Sequence, residues 1–266
     1  MGSQEMFDLS SASSELKFGE GEDNPGEDFS IFSSEKDLGN KIDVLIFTDS
    51  RGFFMQGESS SWATQLASFL RERGLSVLLI TRPKVLTVFF SLINFIEEND
   101  LSFRYLITNM GVVDCAPLKR AFVEDIQEQY GVRGKSLAME NLEPYELSSG
   151  EVEMLCSMDV LPTSEMIAKI LHKSFDLSLL MGTTLVDSRI EFSRKRPESF
   201  YQKHVVTNRY VKEISKCHKN LRYVEPLREH VVGGPMFTHD ALHFTDLGHD
   251  RVAEAMVSLV EKGFLD

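Results

Sequence analysis

The chain has 266 residues, 42% of them hydrophobic, and a formal net charge of −13, which suits one domain with a substantial core, with or without a disordered extension. Such an acidic balance, with no arginine-rich or lysine-rich block, argues against nonspecific nucleic-acid binding and against an anionic membrane surface as the main partner. Cys115, Cys156 and Cys217 are odd in number and widely spaced, which is neither a disulfide framework nor a zinc pattern, and points to a reducing, cytoplasmic setting.

Residues 1 to 40 are rich in Ser, Glu, Asp and Gly. Such a segment buries too little apolar surface to offset its ordering entropy and is expected to be a disordered acidic extension, with Phe29, Ile31 and Phe32 as candidates for docking on the domain. It also lacks the basic start and apolar run of a secretory signal. A single domain is expected over residues 41–266. Ile42 to Phe47 is a short apolar, β-branched run, as in a strand buried on both faces. Ser60 to Arg73 has helical spacing, with Trp62, Leu66, Phe69 and Leu70 on one face and Gly74 as the stop. Ser76 to Ile80 reads as a second strand. Lys84 to Glu98 reads as a helix; its apolar stretch Val85 to Ile96 is broken by Thr87, Ser91 and Asn94 and falls short of the roughly 18 residues that span a bilayer. Phe103 to Thr108 reads as a third strand, and Pro117 to Tyr130 as a helix with Pro117 in its first turn.

The stretch 135–198 is less regular. Thr163 to Phe175 reads as a helix, whereas Leu177 to Val186 is apolar without a clear period. Phe200 to Lys216 reads as a helix, Leu221 to Val224 as a last strand, and Thr245 to Lys262 as a closing helix. The alternation predicts right-handed crossovers and a three-layer α/β/α domain around a mostly parallel, flavodoxin-like sheet.

In such a sheet ligands bind at the C-terminal strand edge, where three polar segments fall. Thr48-Asp49-Ser50-Arg51-Gly52 follows the first strand. Ser50 there, taken alone, fits first a helix cap, and second a nucleophile whose own N–H faces an oxyanion. Thr108 to Pro117 follows the third strand, with Asn109, Gly111 and Asp114 facing the crevice or simply forming a turn. Thr238 to His249 holds Asp240 and His243, close enough for one turn to supply a general base and the carboxylate that orients it.

Together these segments resemble the SGNH (GDSL-like) hydrolase family. The family's Gly-Asp-Ser signature appears as Thr48-Asp49-Ser50, and its late Asp-x-x-His signature as Asp240-Ala241-Leu242-His243, followed by Gly248-His249. Met110 to Pro117 resembles the Gly-x-Asn-Asp stretch, in the Gly-Ile-Val-Asp-Cys-Ala-Pro form of bacterial members associated with polysaccharide gene clusters. The resemblance spans residues 42–262. It implies the SGNH hydrolase fold and cofactor-free ester or thioester chemistry on an acyl group, possible substrates including O-acetylated sugars. Ser50 would be the nucleophile, His243 the base and Asp240 its orienting carboxylate, with the Ser50 N–H at the oxyanion. Two family donors are altered. The second-strand turn reads Thr81-Arg82-Pro83-Lys84 without glycine, and the asparagine position is Val113. The Lys84 N–H, Gly111, and the side chains of Arg82 or Asn109 are the candidate replacements.

The alternatives are a catalytically weak or inactive binding protein on the same fold, an acyltransferase using the same triad, and a metal site built from His239, Asp240, His243, Asp246, His249 and Asp250. His239 and His243 have i, i+4 spacing, but Gly233-Gly234-Pro235 and a Thr245 cap place them ahead of the helix, so no metal is expected. The first turn also lacks the glycine patterns of nucleotide sites. The expected partner is a small-molecule or carbohydrate ester. Trp62 and Cys115 read as buried core residues, and His172, His204, His218 and His230 as surface or structural.

Overall fold

The computed structural model describes residues 30–33, 41–52, 60–81, 92–93, 95–96, 102–109, 111, 115, 117–118, 145–146, 152–153, 155–156, 163–183, 198–225, 237–238 and 243–263. Its main sheet has six strands: β1 (Ser30–Ser33), β2 (Lys41–Thr48), β3 (Val77–Thr81), β4 (Ser102–Asn109), β9 (Leu177–Met181) and β10 (Leu221–Val224). Two small antiparallel pairs lie between β4 and β9 in the chain. They join β5 (Pro117–Leu118) to β8 (Leu155–Cys156) and β6 (Tyr145–Glu146) to β7 (Val152–Glu153). The described helices are α1 (Trp62–Glu72), α2 (Ser164–Ser174), α3 (Glu198–Cys217) and α4 (Asp246–Glu261).

The strand order is β1-β3-β2-β4-β9-β10, with β2, β3, β4, β9 and β10 parallel. Counted among those five, it is the 2-1-3-4-5 order expected of a flavodoxin-like sheet. From β2 the chain turns first to β3 on one side and later to β4 on the other, which puts the topological switch point, where open α/β sheets bind ligands, beyond the ends of β2 and β4. Thr48 pairs with Thr81, Phe47 with Thr108 and Asn109 with Met181. The strand ends are therefore level at that edge.

Strand alternation sorts the apolar side chains onto two faces. Val44, Ile46, Leu79, Ile107 and Leu179 pack with Trp62, Leu66 and Leu70 of α1 and with Val252, Met256 and Val260 of α4. On the opposite alternation, Phe47 meets Phe95 with ring centroids 6.0 Å apart, and Phe95 meets Phe103 at 6.1 Å. Helices α2 and α3 pack on each other and on β9 and β10. The α1 start has a capping box, in which Ser61 accepts from the Thr64 N–H and the Thr64 hydroxyl accepts from the Ser61 N–H. Thr245 caps α4 by accepting from Gly248 N–H at 3.2 Å. No helix among the described residues is long and apolar enough to cross a membrane.

Ser30–Ser33, in the stretch that holds the docking candidates Ile31 and Phe32, forms an edge strand antiparallel to β3. One expectation needs correction. Pro117 opens no helix: Pro117 and Leu118 pair with Cys156 and Leu155. A residue without an N–H is tolerated at a strand's first position as readily as in a helix's first turn, so Pro117 alone does not discriminate. The remainder of that expected helix, and most of 84–98, lies outside the described residues. The ambiguous run after Asp176 resolves as strand β9, every residue of it buried. His172 stacks on His218 with centroids 4.0 Å apart, and its Nδ1 lies 2.8 Å from Asn220 Oδ1.

Tyr223 on edge strand β10 has a phenol pushed up to about 12, first by burial, then by Glu225, with Arg51 acting in the opposite direction. The unfolded chain ionises near the ordinary value of about 10 while the folded chain holds its proton. The Tyr223 contribution is therefore fully present below about pH 10 and is lost as pH rises towards 12. Denaturant titrations across that window should show a steeper alkaline decline for the wild type than for Tyr223→Phe; parallel declines would contradict this.

Candidate active site

Beyond Thr48, β2 gives way to Asp49 and a 3-10 turn over Ser50–Gly52, closed by a bond from Gly52 N–H to Asp49 O of 3.0 Å. Gly52 is required by proximity, because a Cβ there would collide with the Thr48 side chain. Thr48 in turn donates to Thr81 Oγ1 at 3.2 Å. The turn is thus pressed onto the strand ends, with Ser50 at its start and partly exposed.

A buried polar cluster holds both residues that flank Ser50. The Asp49 N–H donates to Asn109 Oδ1 at 2.9 Å, and Asn109 Nδ2 donates back to Asp49 Oδ1 at 2.9 Å. The Arg51 N–H also donates to Asp49 Oδ1, while Arg51 Nη2 pairs with Asp49 Oδ2 at 3.0 Å. Arg51 Nη1 reaches Gly182 O just past β9 at 3.0 Å. Asp49 is 0% exposed and Arg51 1% exposed. A buried pair of this kind persists because several charge-assisted bonds replace the lost hydration. It ties the ends of β2, β4 and β9 together beneath Ser50.

His243 arrives from the other end of the chain. Thr238 and Phe244 form an antiparallel bridge, and Thr245 N–H donates to Phe237 O at 3.0 Å, closing a loop ahead of α4. Gly248 lies where a Cβ would strike Phe237 O, which holds the loop against the helix start. Phe244 is buried at 2% exposure and anchors the residue before it. His243 Nε2 lies 3.1 Å from Ser50 Oγ, across a sequence separation of 193. That is hydrogen-bond reach for moving a proton from the hydroxyl to the imidazole.

The other candidates are distributed as follows. Asp240, Arg82, Lys84, Val113 and His239 lie outside the described residues. Asn109 sits beside the site, but it is fully buried and its carboxamide faces Asp49. Gly111 follows β4 with φ +100°, a left-handed conformation that favours glycine. Its O accepts from Cys115 N–H at 3.0 Å, and Cys115 Sγ lies 2.9 Å from Thr207 Oγ1 on α3. A Cβ at Gly111 would collide with Thr207 Cγ2. Gly111→Ala should therefore cost about 1–3 kcal/mol from backbone strain and overpacking. Urea melts of Gly111→Ala with and without Thr207→Ser test this. Partial recovery in the double variant is expected, and additive losses would contradict the collision.

Arg51 and Gly182 belong to the cluster around Ser50, and the sequence reading did not single them out. The available signal was Asp49 and Arg51 flanking a serine directly after an apolar strand. Nothing comparable marks Gly182, whose partner is 131 residues away. His249, a candidate ligand in the metal alternative, accepts at Nδ1 from the Trp62 N–H at 3.1 Å.

No protein-family model matches this sequence, and no curated protein matches it. Among solved structures, it is similar to a catalytic mutant of Axe2, an acetylxylan esterase from Geobacillus stearothermophilus, at 11% identity and a TM-score of 0.47, covering 82% of this chain and 93% of that one. It is similar to a family 3 carbohydrate esterase of Clostridium thermocellum at 13% identity and a TM-score of 0.44, covering 84% and 96%. It is also similar to LAE5, an alpha/beta hydrolase enzyme from the metagenome of Lake Arreo, Spain, at 11% identity and a TM-score of 0.46, covering 83% and 95%.

Proposed function

We propose that the chain is a serine acylhydrolase that cleaves an acyl ester, such as an O-acetyl ester on a small molecule or carbohydrate, without a cofactor. The observation that carries this reading is the 3.1 Å approach of His243 Nε2 to Ser50 Oγ at the C-terminal edge of the sheet. Ser50 Oγ attacks the ester carbonyl as its proton passes to His243 Nε2. The Ser50 N–H donates to the oxyanion, and Asp240 orients His243. His243 then protonates the leaving alkoxide, and in the second half it takes a proton from the water that hydrolyses the acyl-enzyme.

The buried Asp49–Arg51–Asn109 cluster supports this reading, because it holds the N–H groups of Asp49 and Arg51 on either side of Ser50. The peptide that carries the Ser50 N–H is held separately, its Asp49 O accepting from Gly52 N–H. A preformed oxyanion donor needs no reorganisation during reaction, and loss of one such donor costs about 2.7–4 kcal/mol. The test is a panel of short-chain and long-chain acyl esters and acetylated sugars, assayed with wild type and Ser50→Ala. The expected result is turnover of at least one ester, lost in Ser50→Ala. Turnover that survives the substitution would overturn the assignment of Ser50.

A further inference from the structure

We propose that Trp62 and His249 are positioning residues that set Ser50 in register with His243, an inference that rests on the acylhydrolase reading. Trp62 is the first residue of α1, and its side chain and backbone face different partners. Its indole Nε1–H donates to Arg51 O at 2.9 Å, on the Arg51–Gly52 peptide of the turn that Ser50 opens. Its backbone N–H donates to His249 Nδ1 at 3.1 Å, on α4. Trp62 is 0% exposed and His249 1% exposed, so water does not compete for either bond.

His249 is joined to His243 by a short path. The His249 N–H donates to Thr245 O at 2.8 Å, and its ring meets Phe244 edge-on at 5.5 Å. One side of the reacting pair therefore runs from Ser50 through the Arg51 carbonyl to Trp62. The other runs from His243 through Phe244 and the first turn of α4 to His249. The Trp62–His249 bond closes the loop. Without it, the nucleophile's turn and the base's loop would be held in register by packing between α1 and α4 and by the exposed bonds from Gln65 to Asp250 and from Arg73 to Glu261.

Ordinary capping does not account for this histidine. The first N–H groups of a helix lack intrahelical partners, and the Ser61 side chain serves the Thr64 N–H. The Trp62 N–H instead takes an acceptor from another helix. Because Nδ1 accepts, the neutral ring carries its proton on Nε2. A side chain with an acceptor two bonds beyond Cβ is what the site requires, and asparagine Oδ1 reproduces that placement where leucine does not.

The experiment uses the full chain and three variants, His249→Asn, His249→Leu and Trp62→Phe. It reads the labelling rate of Ser50 by a fluorophosphonate, together with kcat and KM on an ester that the wild type turns over. His249→Leu and Trp62→Phe should each slow labelling and lower kcat about 10- to 100-fold, the scale of a misplacement near 1 Å. KM should be unchanged, since substrate contacts are kept. His249→Asn should recover most of the loss. The sole tryptophan of the chain gives a second readout, its emission being shifted in His249→Leu and close to wild type in His249→Asn.

Wild-type labelling rates in both His249→Leu and Trp62→Phe would overturn the proposal, as would equal losses in His249→Asn and His249→Leu. If His249→Leu does not fold, Trp62→Phe and His249→Asn decide. Failure of the acylhydrolase reading is distinct: there the wild type itself takes no label at Ser50, whatever the His249 variants do.

Discussion

Replacing His243 with alanine should lower ester turnover by about 10⁴- to 10⁶-fold, the range seen when a serine nucleophile loses its base. A serine hydroxyl is a weak nucleophile unless its proton has somewhere to go, and in the proposed mechanism it goes to His243 Nε2, 3.1 Å away. The effect should fall on kcat, because the imidazole acts on the hydroxyl and not on substrate affinity. His243 is only partly buried, in a loop anchored by Phe244 and the Thr245 cap, so the variant should remain folded. Steady-state kinetics beside a thermal melt check both points. A loss confined to KM would place His243 in binding instead. On the proposed triad, Asp240→Ala should cost less, on the order of 10⁴-fold, since it would remove the group assigned to orient the base and leave the base itself.

Replacing Arg51 with methionine should destabilise the chain by about 3–5 kcal/mol, because it leaves the buried Asp49 carboxylate without its counter-charge. Asp49 would keep the bonds from Asn109 Nδ2 and the Arg51 N–H, and would lose those from Arg51 Nε and Nη2. Gly182 O would also lose its donor. Lysine cannot reproduce the fork, which contacts Asp49 and Gly182 O together. Urea denaturation of Arg51→Met, Asp49→Leu and the double variant measures the coupling. The double variant should be more stable than the sum of the single losses predicts, because no uncompensated charge remains. Simple additivity would show that the pair contributes little to the stability of this edge.

Strand β2 was legible because a strand buried on both faces carries a nearly continuous apolar run, Ile42 to Phe47, whereas β10 at the sheet edge showed as a shorter run with its ends buried and Arg222 exposed. Helix α1 was legible from apolar residues at helical spacing with Gly74 as its stop, α4 also from its Thr245 cap, and the caps at Ser61 and Thr163 emerge only in the structure. Leu177 to Met181 resisted because five buried residues show no period by which strand and helix differ. Edge strand β1 resisted for another reason. Its pairing with β3 joins residues about 50 positions apart in an acidic segment, and only topology brings them together.

The same contrast divides the site. That Ser50 and His243 meet was legible because their motifs are local and their order along the chain is informative. The cluster beneath them was not, since Asp49 meets Asn109 across 60 residues and Arg51 meets Gly182 across 131. Those contacts follow from the strand order, which sets β2, β4 and β9 side by side. Asn109 illustrates the difference: its type suggested a crevice donor, whereas its place beneath the turn puts its carboxamide on Asp49.

The most direct test of the Ser50–His243 assignment is to treat the full chain with a fluorophosphonate and map the adduct by peptide mass spectrometry. The account predicts one adduct, on Ser50, that disappears in folded Ser50→Ala and is strongly slowed in folded His243→Ala. A folded wild-type chain that takes no label, or takes it at a different residue, would contradict it.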